Sequence, residues 1–366
     1  MKPSRLEWEK IKLDDTTYES AGVFDVNRNG HLDIVCGGFW YAGPDFKTRH
    51  KLCDVRAEDE YYDDFSTIAL DVNGNGYLDV ITGGWWGQTL YWRENPQGEP
   101  IPWKTHEIDS PGNIETTRAW DVDGDGIVEI CPNTPGHPLV FYKLNYDAQG
   151  KPTGTFRKIT ITEEQSTHGL GFGDINGNGR GDFVVPNGWW EAPTDPLEGS
   201  WIFHNEFELG SASVPILVVD VTGNGKNDLI VGQAHNYGLD WYEQIEDTSG
   251  KRIWKKHPID PFFSQYHDIQ WVDIDGDGQC ELLAGNRYRA HCGNDPGETE
   301  VVGFYIFKWN GEYFTKQVVD HGLVGTCSGA GIFFSVADLD GNGLLDIVAP
   351  GKEGLYLFKN KGFADH

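Results

Sequence analysis

The chain has 366 residues, a formal net charge of −28 and 47 glycines. That charge argues against nucleic acid or an anionic membrane as a partner, and no apolar run is long enough to span a bilayer. The 14 Trp, 15 Tyr and 19 Phe give a turn-rich fold large faces to bury.

In chain order, residues 1–10 have no apolar core like that of a signal peptide. A cytoplasmic protein is expected, or a secreted or periplasmic one if a leader has been removed. Residues 6–13 alternate like an outer strand, yet no unit precedes them. The first unit then opens. A strand over residues 20–24 enters Asp25-Val26-Asn27-Arg28-Asn29-Gly30-His31-Leu32-Asp33, and a strand over 32–36 leaves it. Oxygen-bearing side chains at the first, third, fifth and ninth positions, with a glycine after the fifth, wrap a hard cation such as Ca2+. An EF-hand would close at the twelfth position between helices, whereas this loop lies between strands.

The same loop recurs with Asp71, Asn73, Asn75 and Asp79; with Asp121, Asp123, Asp125 and Glu129; and with Asp174, Asn176, Asn178 and Asp182. It returns with Asp220, Asn224 and Asp228, where Thr222 holds the third position. Asp273, Asp275, Asp277 and Glu281 follow, then Asp338, Asp340, Asn342 and Asp346. The expected ions are structural. The carboxylate-rich loops at Asp121 and Asp273 are expected to bind calcium tightest, and the loop at Asp220 weakest.

Successive loops start 46, 50, 53, 46, 53 and 65 residues apart. A period of this size with several strands per unit predicts an all-β, seven-bladed β-propeller, one domain over residues 1–366. In each unit a third, aromatic strand follows, as at 89–92, and a fourth alternates, as at 103–108. The last unit, ending at Phe358, lacks a fourth strand, so residues 6–13 are expected to complete it and close the ring. The six scattered cysteines are expected to be free thiols.

The loops join first to second strands, so the start of the first strand and the end of the second meet on the opposite face. Six residues before the leading aspartates stand Glu19, Phe65, Glu115, His168, Val214, His267 and Ile332. Past the second strands come Trp40 and Tyr41, Trp85 and Trp86, His137, Trp190, His235 and Tyr237, Arg287, Arg289 and His291, and Lys352. Aromatic platforms with polar groups between them suit a sugar or oligosaccharide, with Trp40, Tyr41, Trp86, His137, Trp190, Arg289 and Lys352 as substrate contacts. His168, His235 and His267, from neighbouring blades, are candidate ligands of a catalytic Zn2+, Mn2+ or Mg2+, with Glu115 nearby. Each of these histidines could instead bond backbone at a blade corner. Tyr237, Arg287 and His291 are candidates for proton transfer and oxyanion binding. His50, His106, His204 and His257 fall on connections or outer strands and read as surface residues.

The seven units resemble the FG-GAP/VCBS repeats of calcium-loop propellers such as the integrin α-subunit head. Thr167-His168-Gly169-Leu170-Gly171-Phe172-Gly173-Asp174-Ile175-Asn176, Pro186-Asn187-Gly188-Trp189-Trp190-Glu191-Ala192-Pro193, and Tyr288-Arg289-Ala290-His291 with Asn294-Asp295-Pro296 resemble a narrower group. They look like the N-terminal propeller of fungal aldos-2-ulose dehydratase and its lone-propeller bacterial relatives. That resemblance implies dehydration of keto-sugars such as 1,5-anhydro-D-fructose, with a metal in the propeller. These residues include no cupin or lectin-like domain, so a second, isomerising step is not expected. Alternatives are a lyase for keto-glycosides or uronate-containing glycans, and a non-catalytic carbohydrate- or protein-binding propeller.

Overall fold

The computed structural model describes residues 5–364. Its loop repeats form seven antiparallel sheets of four strands, with no helix among the described residues. Blade 1 shows how. Ala21–Phe24 enters the loop, Asp33–Cys36 returns fully buried, Phe39–Ala42 follows, and the outer Thr48–Lys51 is mostly exposed. Gly37 makes the turn at φ +54, where a Cβ would stand 2.2 Å from the Tyr18 ring.

The first strands are innermost. Ser20 bridges Phe333 and Gly171 bridges Ile216 as parallel pairs between neighbouring blades. A Cβ on Gly171 would lie 2.3 Å from the Ile216 carbonyl oxygen, so that approach needs glycine. The core is divided into seven apolar clusters, each between adjacent blades, as with Phe141, Phe183 and Trp201 between blades 3 and 4. Every such aromatic contributes roughly 1.5–3 kcal/mol by burial.

The outer-strand histidines are not idle surface residues. His50, His106, His204 and His257 stack on Trp40, Trp92, Trp189 and Trp241 at 4.3, 4.3, 4.2 and 4.4 Å. Three of them also reach a glutamate of the third strand: Glu94, Glu191 and Glu243, at 2.8, 2.9 and 2.8 Å. They staple the fourth strand to the third.

Leu6–Asp14 pairs with Leu355–Phe363 and completes blade 7, as expected from the sequence. All six cysteines are free thiols. In every loop the leading aspartate accepts the amide of the glycine five residues on, at 2.7–3.0 Å. These are side-chain-to-backbone turns that shape the loop.

Candidate functional site

His168 and His267 stand just before the first strands of blades 4 and 6, Glu115 just before that of blade 3, and His235 in the turn after Asp228–Gly232 of blade 5. One ligand atom from each lies within 4.8 Å of all the others. Glu115 Oε1 is 3.3 Å from His168 Nε2 and 4.0 Å from His267 Nε2. The His168 and His235 rings meet at 79° and those of His235 and His267 at 87°, edge to face.

Hydrogen bonds set the tautomers. His168 Nδ1 lies 2.8 Å from the Ala212 carbonyl oxygen, which only accepts, so Nδ1 carries the proton and Nε2 turns a lone pair inward. His235 Nδ1 donates to Asp295 Oδ2 at 2.8 Å with the same result. Both nitrogens of His267, and His168 Nε2, are buried without a hydrogen-bond partner. While its ring is neutral, His168 turns a lone pair on a carboxylate oxygen at 3.3 Å, a repulsion that either a proton on Nε2 or a bound cation relieves, and the unpaired buried nitrogens of His267 are costly. A cation at the centre removes both penalties.

Burial, then the neighbouring His168, pushes the His235 pKa down to about 4. Burial with Arg287 pushes His267 well below the usual range. Both rings are therefore neutral near pH 7, as metal ligands must be. Burial opposes the charge on Glu115, but the His168 ring in its protonated form, and then Arg287, outweigh it and hold the carboxyl below its usual range. Three imidazoles and one carboxylate fit the borderline Zn2+ best, with Mn2+ behind it and Mg2+, which favours oxygen, last.

Beside the cluster is a second charged group. Arg287 donates to both oxygens of buried Glu19 at 2.8 and 3.0 Å, and its Nη1 lies 3.6 Å from Glu115. Lys352 Nζ reaches Glu19 at 3.2 Å and the Arg289 carbonyl at 3.0 Å. A cavity of about 160 Å3 opens between Glu115 and Arg287 on one side and an aromatic wall of Tyr61, Phe65, Trp85 and Trp86 on the other, with His291 also lining it. A larger cavity of about 530 Å3 lies at the outer edge of blades 6 and 7 and holds none of this chemistry.

The structure gathers Glu115, His168, His235, His267, Arg287, His291, Trp86 and Lys352, but not every predicted contact. Trp40 and Tyr41 are buried inside blade 1, each 2% exposed. The turn before them is only Gly37 and Gly38, so the third strand has begun and carries both rings into the blade. Trp190, on Gly188–Glu191, packs on Phe203 in a separate cleft for the same reason. His137 bonds Asn113 outside the cavity, at 3.3 Å. Tyr237 faces outward and donates to Glu300 at 2.7 Å, and Arg289 is held by Glu60 at 2.6 and 2.8 Å.

Tyr61, Asp295 and the clamp role of Glu19 escaped the sequence reading. Tyr61 and Asp295 both sit on long connections; for Tyr61 that length is the only sequence signal, whereas Asp295 falls in the Asn294-Asp295-Pro296 segment that carries the resemblance, where the sequence assigns it no role. The small hairpin of Ala57–Glu58 and Tyr61–Tyr62 sends the Tyr61 hydroxyl across to the Ala290 carbonyl at 2.6 Å.

Residues 71–131 and 220–284 match the FG-GAP-like repeat family. No curated protein matches the chain in sequence. Among solved structures it is similar to a chain of the crystal structure of BBS1N in complex with ARL6DN, soaked with lead. The identity is 10% over 97% of this chain and 96% of that one, with a TM-score of 0.52. At that identity the likeness carries the fold alone. The chain is a seven-bladed β-propeller that contains FG-GAP-like repeats.

Proposed function

We propose that the protein is a metal-dependent carbon–oxygen lyase that removes water from a keto-sugar, of the 1,5-anhydro-D-fructose dehydratase type. The observation that carries this reading is the convergence of three histidines and Glu115 within 4.8 Å, beside an aromatic-walled cavity. The resemblance of the segments around His168 and Trp190 to keto-sugar dehydratase propellers supplies the substrate class. The cavity, about 160 Å3, is below the roughly 300–1,000 Å3 of drug-sized pockets and favours a single sugar unit over a polysaccharide.

Glu115, His168, His235 and His267 would hold the metal, which supplies Lewis-acid polarisation of the ketone. His291 Nδ1 is held by Asp295 Oδ1 at 3.2 Å, leaving Nε2 as the proton acceptor. His291 takes the proton from the carbon beside the carbonyl and returns it to the departing hydroxyl. The C–H and C–O bonds break, a C=C bond forms and water leaves. Arg287 faces the developing oxyanion, while Tyr61, Trp85 and Trp86 pack on the sugar and exclude water.

The test is incubation of the Zn2+- or Mn2+-loaded protein with 1,5-anhydro-D-fructose and 3-keto-glucosides, following the ultraviolet absorbance of a conjugated enone. We expect turnover in the wild type and a loss of roughly 100-fold or more in folded His168→Ala and His267→Ala. The tilted Tyr61–Trp86 pair, 4.8 Å apart, favours a second reading, a carbohydrate-binding propeller. Sugar binding without turnover, abolished by Trp86→Ala and unaffected by the histidine variants, would select it.

A further inference from the structure

Loops of this kind hold calcium in the propellers this chain resembles, but those of blades 3 and 6 do not fit that ion. We infer that a lysine ammonium of the chain itself is the resident cation of these two loops, and that neither takes calcium. Lys143 Nζ lies 2.7 Å from Asp123, 2.8 Å from Asp125 and 2.8 Å from Glu129. Lys308 Nζ lies 2.5 Å from Asp275, 2.6 Å from Asp277 and 2.8 Å from Glu281. These are the third, fifth and ninth loop positions, the carboxylates expected to wrap the metal. An ammonium has three donors and each finds one carboxylate. A calcium ion needs six to eight oxygens at about 2.3–2.6 Å, and this geometry would press it against a like charge.

The placement follows from strand register. Tyr142 pairs with Ile130 and Phe307 with Leu282, so each lysine stands opposite the closing glutamate of its loop. The same station holds Ala42, Glu94, Glu191, Glu243 and Lys359 in blades 1, 2, 4, 5 and 7. Its charge tracks the loop. Where it is glutamate, the third and fifth positions are uncharged: Asn73 and Asn75, Asn176 and Asn178, Thr222 and Asn224. Where it is Lys143 or Lys308, both are aspartate. In blade 7 Lys359 faces Asp340 and Asn342 and lies 3.5 Å from Asp340, an intermediate case.

The closing acid changes with it, being glutamate in blades 3 and 6 and aspartate in the other five. The extra methylene has a use. Glu129 Oε2 accepts the Val122 amide at 2.7 Å while Oε1 extends to Lys143, and Glu281 divides its oxygens the same way between Ile274 and Lys308.

Two arms test the inference. In the first, wild-type protein is reductively methylated in chelator and in millimolar calcium, and each lysine is read by mass spectrometry. Lys143 and Lys308 are expected to stay protected in both buffers relative to Lys47, whose side chain is 83% exposed. Calcium-induced labelling of Lys143 and Lys308 to the level of Lys47 would overturn the inference, because it would mean that the ion expels the ammonium. In the second arm, calcium is counted by titration calorimetry in wild type, Lys143→Met and Lys308→Met. Each variant is expected to gain one calcium site per chain and a calcium-dependent Tm. An unchanged calcium count in both folded variants also overturns it. If a variant does not fold, the labelling arm decides.

Discussion

Asp295 accepts from two imidazoles at once, His235 Nδ1 at 2.8 Å through one oxygen and His291 Nδ1 at 3.2 Å through the other. The two rings stack at 4.1 Å with 10° between their planes. One carboxylate thus holds a metal-ligand candidate and a proton-transfer candidate, each in the tautomer that leaves Nε2 free. Asp295→Asn replaces one acceptor oxygen with an NH2 group facing an N–H. One ring must then swing away or reverse its tautomer, presenting a proton where the metal needs a lone pair. We expect metal affinity to fall about 10–100-fold, as when outer partners of ligating histidines are removed. Thermal stability should change little, because Asp295 lies in the connection outside the blades. Cobalt binding followed by visible absorbance, with Tm measured in parallel, checks both. Wild-type cobalt affinity in Asp295→Asn would remove Asp295 from the site.

At the scale of strands and turns, the loop pattern made the fold legible, because seven copies fix where every first and second strand must lie. Turn length between the second and third strands was not legible, and it decides which aromatics reach the rim. Residues 84–89 of blade 2 leave Trp85 and Trp86 outside a strand, whereas two glycines in blade 1 place Trp40 within one. His168 and His267 were legible because they are counted back from the leading aspartates along a strand of fixed period, and His235 because it follows the second strand of blade 5. Their partners were not, because Asp295 and Tyr61 arrive on connections with no period. The inner strands hold a further feature that the pattern did not announce. Arg118, three residues deeper in the channel than Glu115, donates to Asp268 at 2.8 Å, to the Val214 carbonyl and, at 3.3 Å, to the Ile332 carbonyl. It ties blade 3 to blades 5, 6 and 7 across the ring. Arg118→Met strands the buried Asp268 charge and should cost about 3–5 kcal/mol. Arg118→Met with Asp268→Asn should recover much of that loss, because the oxygen of the substituted amide can still accept the Phe334 N–H, now bound at 2.8 Å. Calorimetric Tm values of the single and double variants measure this. Equal destabilisation in both would show that the ion pair is not the source.

For the molecule as a whole, stability rests on closure. Every apolar cluster lies between two blades, so the ring has seven interfaces and none inside a single sheet. The strand Leu6–Asp14 touches three blades. It pairs with Leu355–Phe363 in blade 7. In blade 6, Gln317 clasps both backbone groups of Leu6 at 3.2 and 3.1 Å, and Lys10 pairs with Asp320. In blade 1, Asp14 accepts from the Tyr41 hydroxyl at 2.8 Å and from Arg49 at 2.6 Å. Tyr41 therefore serves closure rather than substrate. Removing this strand bares an edge of blade 7 and opens two interfaces together. Deletion of residues 1–14 should cost more than any single core substitution, and Leu6→Ala alone, at a position 3% exposed, should cost about 2–5 kcal/mol. The loss should reach the site as well. Glu19 follows the strand by five residues and anchors Arg287 and Lys352, so the truncated protein should bind metal less tightly even where it remains folded. Adding a peptide of residues 5–15 in trans should restore both properties, read as Tm and as cobalt affinity. A truncated chain with the wild-type Tm would mean that the ring is held by its blade interfaces and not by the seam.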